Sequence, residues 1–185
     1  EVQQPVNHQR GNKLPVSVFY DDADGTVPQG TAAYEKRGVA VDAPEWIPAN
    51  CIQCNICAYV CPHSVIRPIA LTEEEAANAP AGAEAIDIKQ VPGKKFMITV
   101  SALDCTGCGS CVVECPAKEK ALVMKPLESQ KKAQEIYDYC DKLADKEDVI
   151  EKFKMTTVKG SQFRTPLFEF SGACPGCGET PYAKL

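Results

Sequence analysis

The sequence lacks the features that mark several large classes of protein. It contains no run of about twenty apolar residues, the length that a helix needs to cross a bilayer. Positive charge is in the minority, with 20 Lys and Arg against 25 Asp and Glu, and no basic stripe carries interleaved aromatic side chains. We therefore expect neither a membrane-spanning helix nor a nucleic-acid partner.

The chain also shows no positively charged segment followed by an apolar leader. It starts at Glu1 rather than at a methionine, and it stops at Leu185 soon after a new cysteine motif has begun. We expect it to be an internal piece of a longer protein. The missing leader then carries no information about the compartment.

Cysteine, in contrast, is abundant, with 11 in 185 residues. Eight of them form two copies of the spacing C-x2-C-x2-C-x3-C-P, at Cys51, Cys54, Cys57 and Cys61, and at Cys105, Cys108, Cys111 and Cys115. Cysteines three residues apart on a tight loop can turn their thiolates to one side and hold three corners of a cluster. The fourth cysteine is too far along the chain to reach the same cluster comfortably.

This spacing resembles that of bacterial two-cluster ferredoxins, in which the fourth cysteine of each run ligates the other cluster. It predicts two [4Fe-4S] clusters. The first would be held by Cys51, Cys54, Cys57 and Cys115, and the second by Cys105, Cys108, Cys111 and Cys61. Gly107 and Gly109 suit the second loop, because a residue without Cβ tolerates unusual backbone angles.

Structural zinc and disulfide bonds are the alternatives for these cysteines. Zinc knuckles use two cysteines at a time and would leave the third and fourth positions of both runs unexplained. Disulfide frameworks are typical of small secreted chains, whereas this acidic composition favours the cytosol. Cys140 stands apart on the apolar face of a predicted helix, where we expect a buried small hydrophobe.

The remaining pattern predicts mixed helices and strands. Residues 72–75 form a capping box that opens a short helix, and residues 95–101 form a strand with which residues 66–68 can pair. Apolar residues at helical spacing predict an amphipathic helix over residues 128–145. A further strand is expected at Leu167–Phe170.

A last pair of cysteines, Cys174 and Cys177, cannot hold a cubane alone, because such clusters take four thiolates. A thioredoxin-like redox pair and a zinc knuckle are the other hypotheses. The redox pair should follow a strand and open a helix in a larger βαβ domain, which this chain does not contain.

Several segments together resemble one family, the pyruvate:ferredoxin (flavodoxin) oxidoreductases, over almost the whole chain and in the same order. These segments are residues 34–38 (YEKRG), 44–48 (PEWIP), the two cysteine runs, 158–163 (VKGSQF) and 170–182 (FSGACPGCGETPY). Members are large thiamine-diphosphate enzymes. They cleave pyruvate with coenzyme A to acetyl-CoA and CO2, and pass electrons through three [4Fe-4S] clusters to ferredoxin or flavodoxin.

The resemblance implies an α+β relay fragment. It would comprise an N-terminal arm (1–45), a two-[4Fe-4S] ferredoxin-like domain (46–125) with an insertion (69–94), a helical linker (126–165) and the truncated start of a thiamine-diphosphate-binding domain (166–185). Cys174 and Cys177 match two ligands of the third cluster. The resemblance places no catalytic residue here, so the fragment alone should not turn over pyruvate. The full-length protein would be a homodimer in the cytoplasm of an anaerobe or in a hydrogenosome-type organelle.

Three other functions remain open from the sequence. The chain could be a stand-alone two-cluster electron carrier, or the relay of an enzyme acting on another 2-oxoacid, because substrate choice is made outside this segment. A zinc-stabilised interaction module is the third.

Overall fold

The structure, a computed structural model, describes residues 2–21, 23–26 and 30–184. Residues 1 and 185, the outer ends of the predicted arm and of the predicted terminal domain, lie outside the described residues. Contacts within the chain divide it into two compact units, Glu1–Thr31 and Ala32–Leu185. The predicted cysteine sites all fall in the second unit.

The first unit consists of short helical turns. Helix α1 spans Gln3–Asn7 and is followed by 3-10 turns at Gly11–Lys13 and Val16–Phe19. A further 3-10 turn, Thr31–Tyr34, crosses the boundary between the units.

The second unit contains two small antiparallel sheets. Strand β1 (Asp42–Trp46) pairs with β5 (Leu122–Pro126), with Trp46 opposite Leu122. The other sheet has the order β2 (Ile66–Leu71), β4 (Lys95–Val100), β3 (Ile86–Asp87), with Ile66 opposite Val100. The predicted strand at 95–101 and its pairing with 66–68 are therefore confirmed.

The helices of the second unit are short. They are α2 (Ile56–Tyr59), α3 (Glu73–Ala77), α4 (Ser110–Val113), α5 (Lys131–Cys140), α6 (Glu147–Lys152), α7 (Val158–Ser161) and α8 (Thr180–Lys184). No helix within the described ranges has the length and apolar character that crossing a bilayer requires. Together with the sheets they give the mixed helix and strand architecture that the sequence predicts.

Local signals account for two of these helices. Thr72 Oγ1 accepts the N–H of Glu75 at 3.1 Å and the Thr72 N–H donates to the Glu75 carboxylate at 2.8 Å, so the predicted capping box at the start of α3 is confirmed. The helix predicted over 128–145 is shorter than expected. It begins at Lys131 after a 3-10 turn, Leu127–Gln130, and ends at Cys140.

The strand predicted at Leu167–Phe170 is wrong, because this segment has no strand partner and runs as an irregular coil. Side chains of β2 and of the residues just before β2 hold this segment in place instead. Ser64 Oγ donates to the Phe168 carbonyl at 3.0 Å, and Arg67 pairs with Glu169. Leu167 is left fully exposed.

An aromatic cluster joins the cysteine-containing part to the later helices. Phe96, fully buried in β4, meets the rings of Trp46 and Phe163 edge-on at 6.0 and 6.2 Å. Phe153 stacks on Phe163 at 5.4 Å. The segment after α6 is therefore part of the core that supports the cysteine loops.

Candidate metal centre

The two cysteine loops follow the same backbone path. In the first loop (51–57), Gln53 and Asn55 have φ of 62° and 63°, and in the second loop (105–111), Gly107 and Gly109 have φ of 71° and 75°. The left-handed residues occupy matching positions between the cysteines. Left-handed geometry at both positions turns the cysteines of a loop toward one side.

The loops direct backbone N–H groups at their own sulfurs. Gly107 N lies 3.3 Å from Cys105 Sγ. In the first loop, the N–H of Gln53 lowers the pKa of Cys51 and so partly offsets its burial. Donors of this kind stabilise the charged thiolate, which is the form that binds metal.

Four thiols gather at what we call the first site: Cys51, Cys54, Cys57 and Cys115. The pKa of Cys51 is raised chiefly by burial and further by its neighbours Cys54 and Cys115. Burial likewise raises the pKa of Cys57, with added contributions from Cys51 and Cys54. The last cysteine of the second run thus lies with the first loop.

The second site gathers Cys105, Cys108, Cys111 and Cys61, which line one apolar cavity together with Pro62, Val65, Ile66 and Met124. Burial raises the pKa of Cys105 to about 11 and that of Cys111 to about 12, and Cys61 adds to both shifts. The last cysteine of the first run therefore lies with the second loop. Each site thus gathers three thiols from one loop and a fourth from the other.

The two sites adjoin one another. Helix α2 packs against α4, and the neighbouring thiol of Cys111 contributes to the raised pKa of Cys57. Each of these helices begins directly after a left-handed residue and carries the third cysteine of its loop.

The donor set suits an iron–sulfur cube. A single tetrahedral zinc, with Zn–S bonds of about 2.3 Å, needs its sulfurs close around one point. Four thiols spread around an apolar cavity, with N–H groups directed at the sulfurs, match a larger group that takes four thiolates.

Two polar side chains of the first loop act as anchors that sequence reasoning missed. Gln53 is buried, and it donates to the Asp87 carbonyl at 2.7 Å while accepting the Lys89 N–H at 3.0 Å. Asn55 Nδ2 donates to the Lys159 carbonyl at 2.9 Å. These bonds tie the first loop to β3 and to α7. An Asn in a loop, tolerant of positive φ, was the only local signal.

Trp46 lies beside the first site. Its indole N–H is buried without a conventional hydrogen-bond partner, and it lowers the pKa of Cys51 against the effect of burial. The N–H is therefore available to the Cys51 sulfur.

Two parts of the chain match known protein families. A family model described as a 4Fe-4S dicluster domain matches residues 50–119, and a domain of unknown function called EKR matches residues 1–40. Pyruvate-flavodoxin oxidoreductase of Enterobacter agglomerans is 54% identical over 181 residues. Pyruvate:ferredoxin oxidoreductase of Moorella thermoacetica is 52% identical over 188 residues.

The chain is homologous to one segment of the pyruvate-flavodoxin and pyruvate:ferredoxin oxidoreductases. A third relative, pyruvate-flavodoxin oxidoreductase of Klebsiella pneumoniae, is 51% identical over 185 residues. The matches cover 98–100% of this chain but only 15–16% of these relatives.

The terminal pair, Cys174 and Cys177, lies next to the second site. A Cβ built on Gly176, between the two cysteines, would stand 3.6 Å from the Cβ of Cys108. Cys174 is exposed and Cys177 partly so. The N–H groups of Thr180 and Glu179 lower the pKa of Cys177, which favours its thiolate.

Proposed function

We propose that this chain is the electron-relay segment of an enzyme that oxidatively decarboxylates pyruvate with coenzyme A, giving acetyl-CoA and CO2. The electrons would pass through [4Fe-4S] clusters to ferredoxin or flavodoxin. The observation that carries this proposal is the pair of adjoining four-thiol sites with exchanged fourth cysteines. The names of the homologous proteins supply the substrate and the acceptors.

The two groups of thiols support an assignment of the ligands. Cys51, Cys54, Cys57 and Cys115 would hold the first cluster, and Cys105, Cys108, Cys111 and Cys61 the second. Cys174 and Cys177 would provide two ligands of a third cluster. The other two ligands and the thiamine diphosphate would belong to parts of the enzyme outside this chain.

When bound, such clusters take up and release single electrons at potentials set by ligands, hydrogen bonds and burial. The residues of the chain contribute the surroundings. Gly107 and Gln53 direct N–H groups at ligand sulfurs, which stabilises negative charge there. The apolar lining of the second site, with Val65 and Ile66, excludes water.

The contacts also suggest an order for the relay. Gly176 lies against Cys108, so the terminal pair is nearest the second site. Cys57 and Cys111 bring the second site next to the first. Electrons would then travel from the terminal pair through the second site to the first, and from there to the acceptor.

Metal analysis tests the proposal directly. After anaerobic purification, we expect roughly eight irons per chain with acid-labile sulfide for the two complete cubes. Zinc in place of iron, with no sulfide, would contradict the relay and favour a zinc-stabilised module.

The exchange of ligands can be tested with combined variants. Changing Cys105, Cys108 and Cys111 to Ser should leave roughly four irons, held by the first site. Adding Cys115→Ser should then remove them, whereas adding Cys61→Ser or Cys140→Ser should not. If Cys61→Ser, rather than Cys115→Ser, removed the remaining iron, the assignment of the fourth ligands would be reversed.

We further propose that the complete enzyme is a cytoplasmic homodimer that passes its electrons to ferredoxin or flavodoxin. The acceptor is the easiest to test. Within the complete enzyme, Cys54→Ser should slow reduction of ferredoxin or flavodoxin, and unchanged reduction would count against Cys54 as a relay ligand.

A further inference from the structure

The side chain of Lys184, the last residue of α8, reaches the backbone carbonyl groups at the C-terminal end of α2. Its Nζ donates to the carbonyls of Ala58, Tyr59 and Cys61 at 2.5, 3.0 and 3.3 Å. Within the described residues, no carboxylate lies within 4.0 Å of this ammonium group. The positive charge of Lys184 lies at the backbone of Cys61, the fourth cysteine of the first run.

Cys61 belongs to the second site, and Ala58 directly follows Cys57 of the first site. The ammonium group therefore contacts the backbone next to Cys57 and the carbonyl of Cys61.

Lys120 occupies the matching place in the other half of the repeat. Its Nζ donates to the carbonyls of Val113 and Cys115 at 2.9 and 2.8 Å. Counted from the cysteines, Val113 and Cys115 correspond to Tyr59 and Cys61. The carbonyl group of the fourth cysteine in each run therefore accepts a hydrogen bond from a lysine. Lys120 is exposed, whereas Lys184 is partly buried.

We propose that Lys184 raises the reduction potential of the adjoining clusters and that Lys120, at the carbonyl of Cys115, does so more weakly. This inference rests on the proposed function, because it requires that both sites hold clusters. Each electron taken up adds one negative charge and makes no bond. A fixed positive charge beside a cluster stabilises the reduced cluster, which carries the added negative charge. The effect is stronger where water is excluded.

Lys184 reaches α2 from the segment that follows the terminal pair. Its charge lies beside the clusters only while α8 is seated on α2.

The test is a redox titration of the full chain carrying its clusters, followed by electron paramagnetic resonance. Lys184→Gln keeps an N–H donor and removes the charge, whereas Lys184→Arg keeps both. We expect Lys184→Gln to lower one midpoint potential by about 59 mV, a tenfold change for a one-electron couple. Lys120→Gln should lower a midpoint potential by less. Lys184→Arg should leave the midpoint potentials of both clusters close to those of the unaltered chain.

Lys131→Gln is the matched control, because Lys131 is an exposed residue at the start of α5 and its loss removes the same charge. Unchanged midpoints in Lys184→Gln, with iron and sulfide at full content, would overturn this inference and leave the relay intact. Absence of clusters from the unaltered chain would instead overturn the proposed function. If the Lys184→Gln variant does not assemble its clusters, the Lys120→Gln variant provides the test. An unchanged midpoint potential in Lys120→Gln would then overturn the proposal.

Discussion

The imidazole ring of His63 holds the backbone of Ser171: Nδ1 lies 2.9 Å from the Ser171 carbonyl oxygen. The carbonyl of His63 in turn accepts the N–H of Phe170 at 2.8 Å. His63 is buried, and it directly follows Cys61 and Pro62 in the sequence. One residue therefore fastens the segment that leads to Cys174 onto the second site.

Replacing His63 by Phe should loosen this segment while keeping a planar ring in the core. Loss of one hydrogen bond costs about 1 kcal/mol, so the amide of Phe170 should exchange its hydrogen roughly fivefold faster. Hydrogen exchange read by mass spectrometry measures this. His8→Phe, an exposed change in the first unit, is the control, and equal exchange in both variants would show that His63 does not fasten the segment.

Gly160 is predicted to reject any side chain. A Cβ there would stand 2.1 Å from the Lys154 carbonyl oxygen and 2.6 Å from that of Phe153. Gly160→Ala should displace α7 and cost about 3 kcal/mol, the upper end of overpacking effects. Urea denaturation measures the loss. Gly172→Ala, where nothing lies within 4 Å of the added Cβ, should change stability by less than about 0.5 kcal/mol, and a similar loss in both variants would remove the steric explanation.

Cys140 should stay protonated in the folded chain well above the pH at which an ordinary thiol ionises. Burial raises its pKa from 9.0 to about 12. The protonated thiol therefore contributes stability that is fully present below pH 9 and is lost as the pH rises from 9 to about 12.

Alkylation with iodoacetamide at about pH 9.5, followed by peptide mapping, tests this prediction, because the thiolate is the reactive form. Cys140 should resist modification in the folded chain and react readily once the chain is unfolded in urea. Equal rates in the two states would show that the thiol is not protected.

Trp46 is predicted to tune the first site through its indole N–H. Trp46→Phe keeps an aromatic ring next to Phe96, whose centroid lies 6.0 Å from that of Trp46, but removes the N–H beside Cys51. Because hydrogen bonds to ligand sulfur stabilise negative charge, one cluster midpoint should fall in a redox titration. Tyr34→Phe, at an exposed site, should leave it unchanged, and an unaltered midpoint in Trp46→Phe would mean that the indole N–H does not reach the sulfur.

The sequence predicted those parts of the fold whose causes are local. The path of each cysteine loop is set within a few residues, whereas the fourth thiol of each site comes from the other loop. The Thr72 and Glu75 capping box and the strand at 95–101 are local in the same sense. Gly107 and Gly109 adopt the unusual angles that their lack of a Cβ permits.

Long-range contacts explain what the sequence did not predict. Gln53 takes a positive φ that its residue type does not favour, and its side chain bonds with Asp87 and Lys89, more than thirty residues away. The apolar run at Leu167–Phe170 favours a strand, but its contacts with Ser64 and Arg67 replace strand pairing. Lys184 bonds to a carbonyl 123 residues earlier, a contact for which no local pattern exists.

The left-handed residues of the two loops restrict how far the halves of the repeat are interchangeable. At Gly107, a Cβ would come within 3.1 Å of the Asp42 carbonyl oxygen, so a glutamine there would require the backbone at Asp42 to shift. At Gln53, a glycine would relieve the backbone but lose the hydrogen bonds to Asp87 and Lys89 that the amide group makes. Transplanting either loop into the place of the other would therefore disturb a different contact in each direction: the approach to Asp42 in one, and the bonds to Asp87 and Lys89 in the other.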